Sequence, residues 1–232
     1  MMRRLSIWPM NGLILCAAIA LVGPAAAQKL PWHATEGDVL GGATRVFLVP
    51  PDVHVEKWTI KSGTETTASA DYLQRIMCGE MDDLFEQRKI EVRDFFLCLG
   101  EGETTHEKRD AVMAVQQRFR DLVTNWSRPI HRGDLLQSFR LVEELEVTRK
   151  MEADVLIAIT ADGSLVSRGE KAISMTGGAQ GLMLHIGVIR ARTGELLFFS
   201  EKFIGGDFLK HPEGLEKAIQ KSVQAAFAPQ AK

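Results

Sequence analysis

Asp52, His54 and Glu56 are the first residues in the chain whose types and spacing could do chemistry. They alternate with Val53 and Val55, so an extended backbone aims all three the same way, and two carboxylates with an imidazole are ordinary ligands for zinc or a similar ion. A metal-assisted hydrolase is the reaction class such a set would serve. The same alternation is shown by any half-buried edge strand that holds no ligand. Pro50-Pro51, just before it, favours an edge, because proline has no N–H to give to a ladder. The solvated edge strand is the simpler reading, and a metal site at Asp52, His54 and Glu56 stands beside it as the alternative.

Other reactive side chains are more scattered. Arg168, Gly177, Gly178, Gln180 and Gly181 belong to a glycine-rich connection whose backbone N–H groups suit an anion, a small ligand or a partner. The connection enters a strand, whereas a phosphate loop opens a helix, so it reads first as a flexible loop and second as a partner or ligand loop. His185 sits in a strand with Met183, Gly187 and Ile189 on its face. A half-buried histidine hydrogen-bonded to a neighbour explains it better than catalysis, since no serine or cysteine motif accompanies it. Arg118, Arg120, Arg128, His131 and Arg132 are interleaved with Asp121 and Asp134, which is the pattern of a solvated helix end. No catalytic residue and no cofactor is expected.

Residues 1–27 have the make-up of an export signal. Arg3 and Arg4 form a basic start, Asn11 to Val22 is mostly apolar, and Ala25-Ala26-Ala27 offers small residues for cleavage. An apolar stretch of about a dozen residues is too short to cross a hydrocarbon core of roughly 30 Å as a helix. Cleavage before Gln28 and delivery to the periplasm are the expectation. Cys16 raises lipid anchoring as a rival, but Leu15 stands where an acylation motif needs a small residue. No later segment is apolar enough to span a membrane.

The formal net charge is −2. Removing residues 1–27 takes away two arginines and no acid, which makes the remainder still more acidic. A nucleic-acid or anionic-membrane surface relies on clustered lysine and arginine, so neither is expected as a partner.

An oxidising compartment would let Cys78 and Cys98 pair. Geometry argues the other way. If a helix ends near Arg88 and a strand returns beside it, Cys98 overshoots Cys78 by roughly 12 Å, taking about 3.3 Å per strand residue against 1.5 Å per helix residue. A disulfide needs Cα atoms within about 7 Å. A break at Gly79 would shorten the gap, and pairing is left open.

The elements that must position these residues follow from periodicity. Thr44–Val49 is apolar on both faces, as an interior strand is. A helix is expected from about Ser69, with Leu73, Ile76, Met77, Met81, Leu84 and Phe85 on one face. Residues 89–99 fit a strand or a continuing helix, with the strand preferred. Thr104 and Glu107 form a capping-box pair before a helix whose Val112, Val115, Phe119, Leu122 and Trp126 make one stripe. Asp134 starts a third helix with Leu135, Phe139, Val142 and Leu145 buried. Ala153–Thr160 reads as a central strand. Leu182–Ala191 and Glu195–Phe203 read as a hairpin turning at Gly194. Pro212 opens a last helix that buries Leu215, Ile219, Val223 and Ala226.

The segments FLVPPDVHVEKWT, EADVLIAIT, GLMLHIGVIRARTGELLFFSEKF and HPEGLEKAIQKSV resemble a group of uncharacterised exported or lipid-anchored proteobacterial proteins. More distantly, the order of elements is similar to envelope proteins of the curli-secretion lipoprotein and TolB amino-terminal-domain type. There the strand before the hairpin and the Thr-Gly turn are scaffolding, and Ala153-Asp154 and Thr193-Gly194 take those places here. The resemblance implies an envelope protein that binds other envelope components, with an envelope protein as the expected partner. It brings no catalytic residues.

The expected architecture is a single α/β domain, α+β-like, over 44–227, preceded by a flexible arm at 28–43 and followed by a tail at 228–232. Its mixed sheet has four or five strands, with helices mainly on one face. A partner would meet a sheet edge or the 161–181 loop.

Overall fold

The computed structural model describes residues 32–34, 39–40, 42–58, 63–65, 67–101, 104–126, 132–166 and 180–227. Residues 1–31, most of the glycine-rich connection and the tail lie outside these residues. Fourteen elements follow in chain order: β1 (Trp32–His33), β2 (Arg45–Leu48), β3 (Asp52–Trp58), β4 (Gly63–Glu65), α1 (Thr67–Gln87), β5 (Glu91–Arg93), α2 (Phe95–Cys98), α3 (His106–Trp126), α4 (Arg132–Ser138), α5 (Leu145–Lys150), β6 (Val155–Val166), β7 (Gly181–Arg190), β8 (Leu196–Gly205) and α6 (Glu213–Phe227).

The mixed α/β class is as expected, but the sheet has eight strands, three of them only two or three residues long. β6, β7 and β8 form its antiparallel centre, and the order β1-β8-β7-β6-β2-β5 runs outward from it. β6 is long enough to pair twice along one edge. Its first residues take β2 in parallel, Val46 opposite Val155, and its later ones take β3 in parallel, Asp52 opposite Thr160 through Trp58 opposite Val166. Pro50-Pro51 is the joint between these two pairings. Two prolines cannot donate to a ladder, so the chain leaves β6 there and rejoins it a few residues on.

Helices cover both faces of the sheet, where they were expected mainly on one. On the first face α1 and α6 pack Leu73, Met77, Met81, Phe85, Leu215, Ile219 and Val223 against Val46, Leu48, Val55, Ile157, Ile159, Leu184 and Ile186. On the second face α3 packs Val112, Val115, Phe119, Leu122 and Trp126 against Phe47, Leu156, Ala158, Ile189 and Phe199. An interior strand with apolar residues on both faces needs a layer on each, and fully burying one such side chain stabilises by about 1.5–3 kcal/mol. The two-faced pattern of β2 and β6 therefore already implied two helical layers.

Several local expectations change. Residues 89–99 divide between a short strand and a short helix, because Lys89 and Asp94 adopt positive φ of 60° and 49° and break the backbone at each end of β5. α4 stops at Ser138, and Arg140 bridges to Glu195, so Val142 is 71% exposed instead of lying on a buried stripe. Thr105, not Thr104, caps α3, its hydroxyl accepting from the Lys108 N–H at 3.3 Å. Part of the expected arm is built into the fold: Trp32 and His33 pair with Phe199 and Phe198, and Leu40 is buried in the first core.

Cys78 and Cys98 are joined by a disulfide with Cα atoms 6.0 Å apart. The overshoot does not arise because only three residues return as a strand. α2 then advances the chain at about 1.5 Å per residue and keeps Cys98 beside α1. The Gln74 amide donates to the Cys98 carbonyl at 2.8 Å and fixes the same junction.

Candidate functional site

α3 crosses the second face of the sheet obliquely, and three of its residues mark the line. Gln116 donates to the Pro50 carbonyl at 3.0 Å, satisfying an acceptor that the strand break would leave without a ladder partner. One turn on, Arg120 donates to the Asp52 carbonyl at 2.8 Å and to the Asp52 carboxylate, and its other branch reaches Asp162 at 2.5 Å. At the helix end Trp126 donates its indole N–H to Glu201 at 2.8 Å. The i, i+4 spacing of Gln116 and Arg120 lets one helix face hold both sides of the proline joint. Burial works against the Arg120 charge, yet Asp52 and Asp162 outweigh it and push its pKa up.

Beneath Trp126 lies a buried polar group. His185 is 3% exposed and has Thr160 Oγ1 at 3.5 Å on one ring nitrogen and Glu201 at 3.4 Å on the other. Phe199 packs beside its ring, with centroids 5.8 Å apart. A threonine, a histidine and a carboxylate in that order look like a hydrolase triad. Thr160 is fully buried, however, so its hydroxyl cannot meet a substrate. The group satisfies polar atoms inside the core, as the sequence suggested for His185.

Past the line of α3 the same face has no helical cover among the described residues. The ends of β3, β6, β7 and β8 form a cleft of about 350 Å³ lined by His54, Glu56, Asp162, Gly163, Ser164, Gly181, Met183 and Phe203. Phe203 is 52% exposed, and its ring lies against Gly181, where a Cβ would come within 2.5 Å of Cζ. Gly187, farther along β7, accepts the Phe119 ring of α3 in the same way, with a Cβ within 2.4 Å of Cε2. Two glycines on one strand face thus each seat a phenylalanine: one under the helix and one in the open.

Asp52, His54 and Glu56 do share this face, as alternation required, because Val53 and Val55 point into the first core. They do not gather as ligands. Asp52 is held by Arg120 and by His54, whose Nε2 lies 3.0 Å from it, and among the described residues no group of three histidine, cysteine, aspartate or glutamate side chains could hold a metal ion. Among the described residues the geometry is that of an ion-paired strand joint, and the metal reading of Asp52, His54 and Glu56 stands only as the alternative to a solvated edge strand. Of the proposed partner loop, Arg168, Gly177 and Gly178 lie outside the described residues, whereas Gly181 begins β7 in the cleft lining and Gln180 immediately precedes it. Ala161–Val166, expected as loop, continue β6. The sequence reading missed Phe203 and Met183; the signal was an aromatic on the polar side of an alternating strand, diagonal to a glycine on the next strand.

No protein-family model matches the sequence, and no curated protein matches it. Among solved structures, the PelC dodecamer of Paraburkholderia phytofirmans aligns at 12% identity and a TM-score of 0.42, over 86% of this chain and 98% of that one. The LpoB C-terminal domain of Salmonella enterica aligns at 7% and 0.30, over 75% and 87%. Lipoprotein GNA1162 of Neisseria meningitidis aligns at 11% and 0.33, over 78% and 96%. Likenesses this distant carry no argument about function. No described helix is long and apolar enough to cross a membrane.

Proposed function

We propose that the protein is an exported, non-catalytic accessory domain of the cell envelope that binds a protein partner on the open end of its sheet. The observation that carries this reading is the face past α3, where, among the described residues, β6, β7 and β8 extend beyond the helical cover and present Met183 and Phe203 between polar side chains. An aromatic left half exposed on a rigid sheet, rimmed by polar groups, is the anatomy of an interface. Two features support the exported location. The first 27 residues read as a signal peptide, and the Cys78–Cys98 disulfide persists only in an oxidising compartment. The polar residues near the cleft are engaged with one another, Asp52 and Asp162 by Arg120 and His185 by Glu201, which suits a scaffold better than a reacting centre.

The test is a photo-crosslinking amino acid introduced at Met183 in the exported chain, with the exposed Met113 on α3 as control position, and identification of the products by mass spectrometry. One reproducible partner captured from position 183 and not from 113 is expected. Capture only from 113, or no capture from either position, overturns the proposal.

A further inference from the structure

The chemistry of the open cleft selects what can sit there. Its charged lining consists of two carboxylates, Glu56 and Asp162, and one histidine, His54, whose Nε2 is already directed at Asp52. Among the described residues Glu56 makes no ion pair, and Asp162 keeps 46% of its side chain exposed although Arg120 holds one oxygen. Phe203 lies within this group with about half of its surface in solvent. Of the remaining lining, Met183, Gly163 and Gly181 are apolar or bare, and Ser164 is polar and uncharged.

An open aromatic ring beside carboxylates attracts an organic cation twice, through the ring's negative face and through the charges next to it. The same carboxylates repel a phosphate or another anion. Arginine and lysine also have long apolar stems, which match the methionine and glycine floor while the charged head reaches the rim. The cleft opens across four strand ends, so an extended segment fits it better than a helix end does.

We infer that the partner of this face presents a basic, extended protein segment, with an arginine or lysine side chain lying over Phe203 and its charge directed at Glu56 and Asp162. The inference rests on the partner-binding reading above and specifies the partner's chemistry.

The experiment measures fluorescence anisotropy of a labelled Arg-Val-Arg-Val-Arg peptide on the purified exported chain. A peptide with citrulline in place of arginine, isosteric but neutral, is the comparison. Saturable binding of the arginine peptide is expected, with the citrulline peptide weaker by about tenfold. Phe203→Leu and Glu56→Gln should each weaken binding by about threefold or more, the scale of an exposed cation–π contact or a surface charge pair. Glu143→Gln, an exposed acid away from the cleft, should change nothing. Both tested residues are exposed, and unchanged thermal unfolding of the two variants confirms that they fold. Equal binding of the citrulline peptide, an unaffected Phe203→Leu variant, or an equal loss in Glu143→Gln overturns the inference. If the crosslink at position 183 still captures a partner in that case, the partner-binding face stands and only its preference for a basic segment falls. If no crosslink forms there, the face itself is wrong.

Discussion

Asp154 accepts the backbone N–H of Arg45 at 2.9 Å and that of Thr44 at 2.8 Å, joining residues more than a hundred positions apart at the start of the parallel pair β2 and β6. The Thr44 hydroxyl adds a third bond at 3.0 Å to the same carboxylate oxygen. The strands β2 and β6 both begin here, and the carboxylate ties their first residues together just ahead of the Val46–Val155 ladder pair.

Asp154→Ala should therefore destabilise the domain by roughly 2–3 kcal/mol, since several hydrogen bonds to one charged acceptor are lost at once. The loss is read as a lower urea midpoint at neutral pH with an unchanged slope.

The same carboxylate makes stability depend on acid. Burial raises its pKa, but the N–H groups of Thr44 and Arg45 and the Thr44 hydroxyl outweigh burial and hold it below the ordinary aspartate value of 3.8. A lowered folded pKa contributes stability at neutral pH. That stability starts to fall as the pH drops past the ordinary aspartate range and is gone below the folded pKa. Unfolding midpoints measured from pH 7 to below 3 should fall more steeply for the wild type than for Asp154→Asn.

Replacing Cys78 and Cys98 with serine, or reducing the pair, opens a loop of 20 residues between α1 and α2. The chain-entropy model gives a loss of about 3 kcal/mol for a loop of this length. Thermal unfolding with and without reductant measures it, and the double serine variant should no longer respond to reductant.

Gly194 has a φ of +70°, and a Cβ there would lie 2.4 Å from the Leu141 carbonyl oxygen. Gly194→Ala meets both a left-handed backbone and a steric block, so a loss of at least about 2 kcal/mol is expected. Hydrogen exchange should also quicken at the Leu141 amide, which donates to the Gly194 carbonyl at 3.0 Å.

Arg120→Met keeps the stem over the sheet but leaves Asp52 and Asp162 without their shared cation. The expected cost is about 1–3 kcal/mol. Arg120→Lys should restore only part of it, because an ammonium cannot reach both carboxylates and the Asp52 carbonyl in the planar arrangement of a guanidinium. Denaturant titration of the three proteins orders them.

Much of the fold was legible in the chain because it depends on local periodicity. The stripes of α1, α3 and α6, the hairpin at Gly194 and the two-faced apolar runs of β2 and β6 are short-range patterns with direct physical readings. What failed depended on where a break falls. The positive φ of Lys89 and Asp94 divides 89–99 into a strand and a helix and so lets Cys98 reach Cys78, and residue type marks that conformation weakly for an aspartate and not at all for a lysine.

The open cleft separates the two kinds of information most clearly. The sequence by itself determined that Asp52, His54 and Glu56 share a face, since alternation in a strand allows nothing else. Only the tertiary structure decided that Arg120 takes Asp52 out of that set, that α3 ends its cover at Trp126, and that Phe203 comes to rest on Gly181. Those facts depend on the crossing of a helix over strands distant in the chain. Such a crossing is set by packing two layers onto one sheet, and no stretch of sequence taken alone contains it.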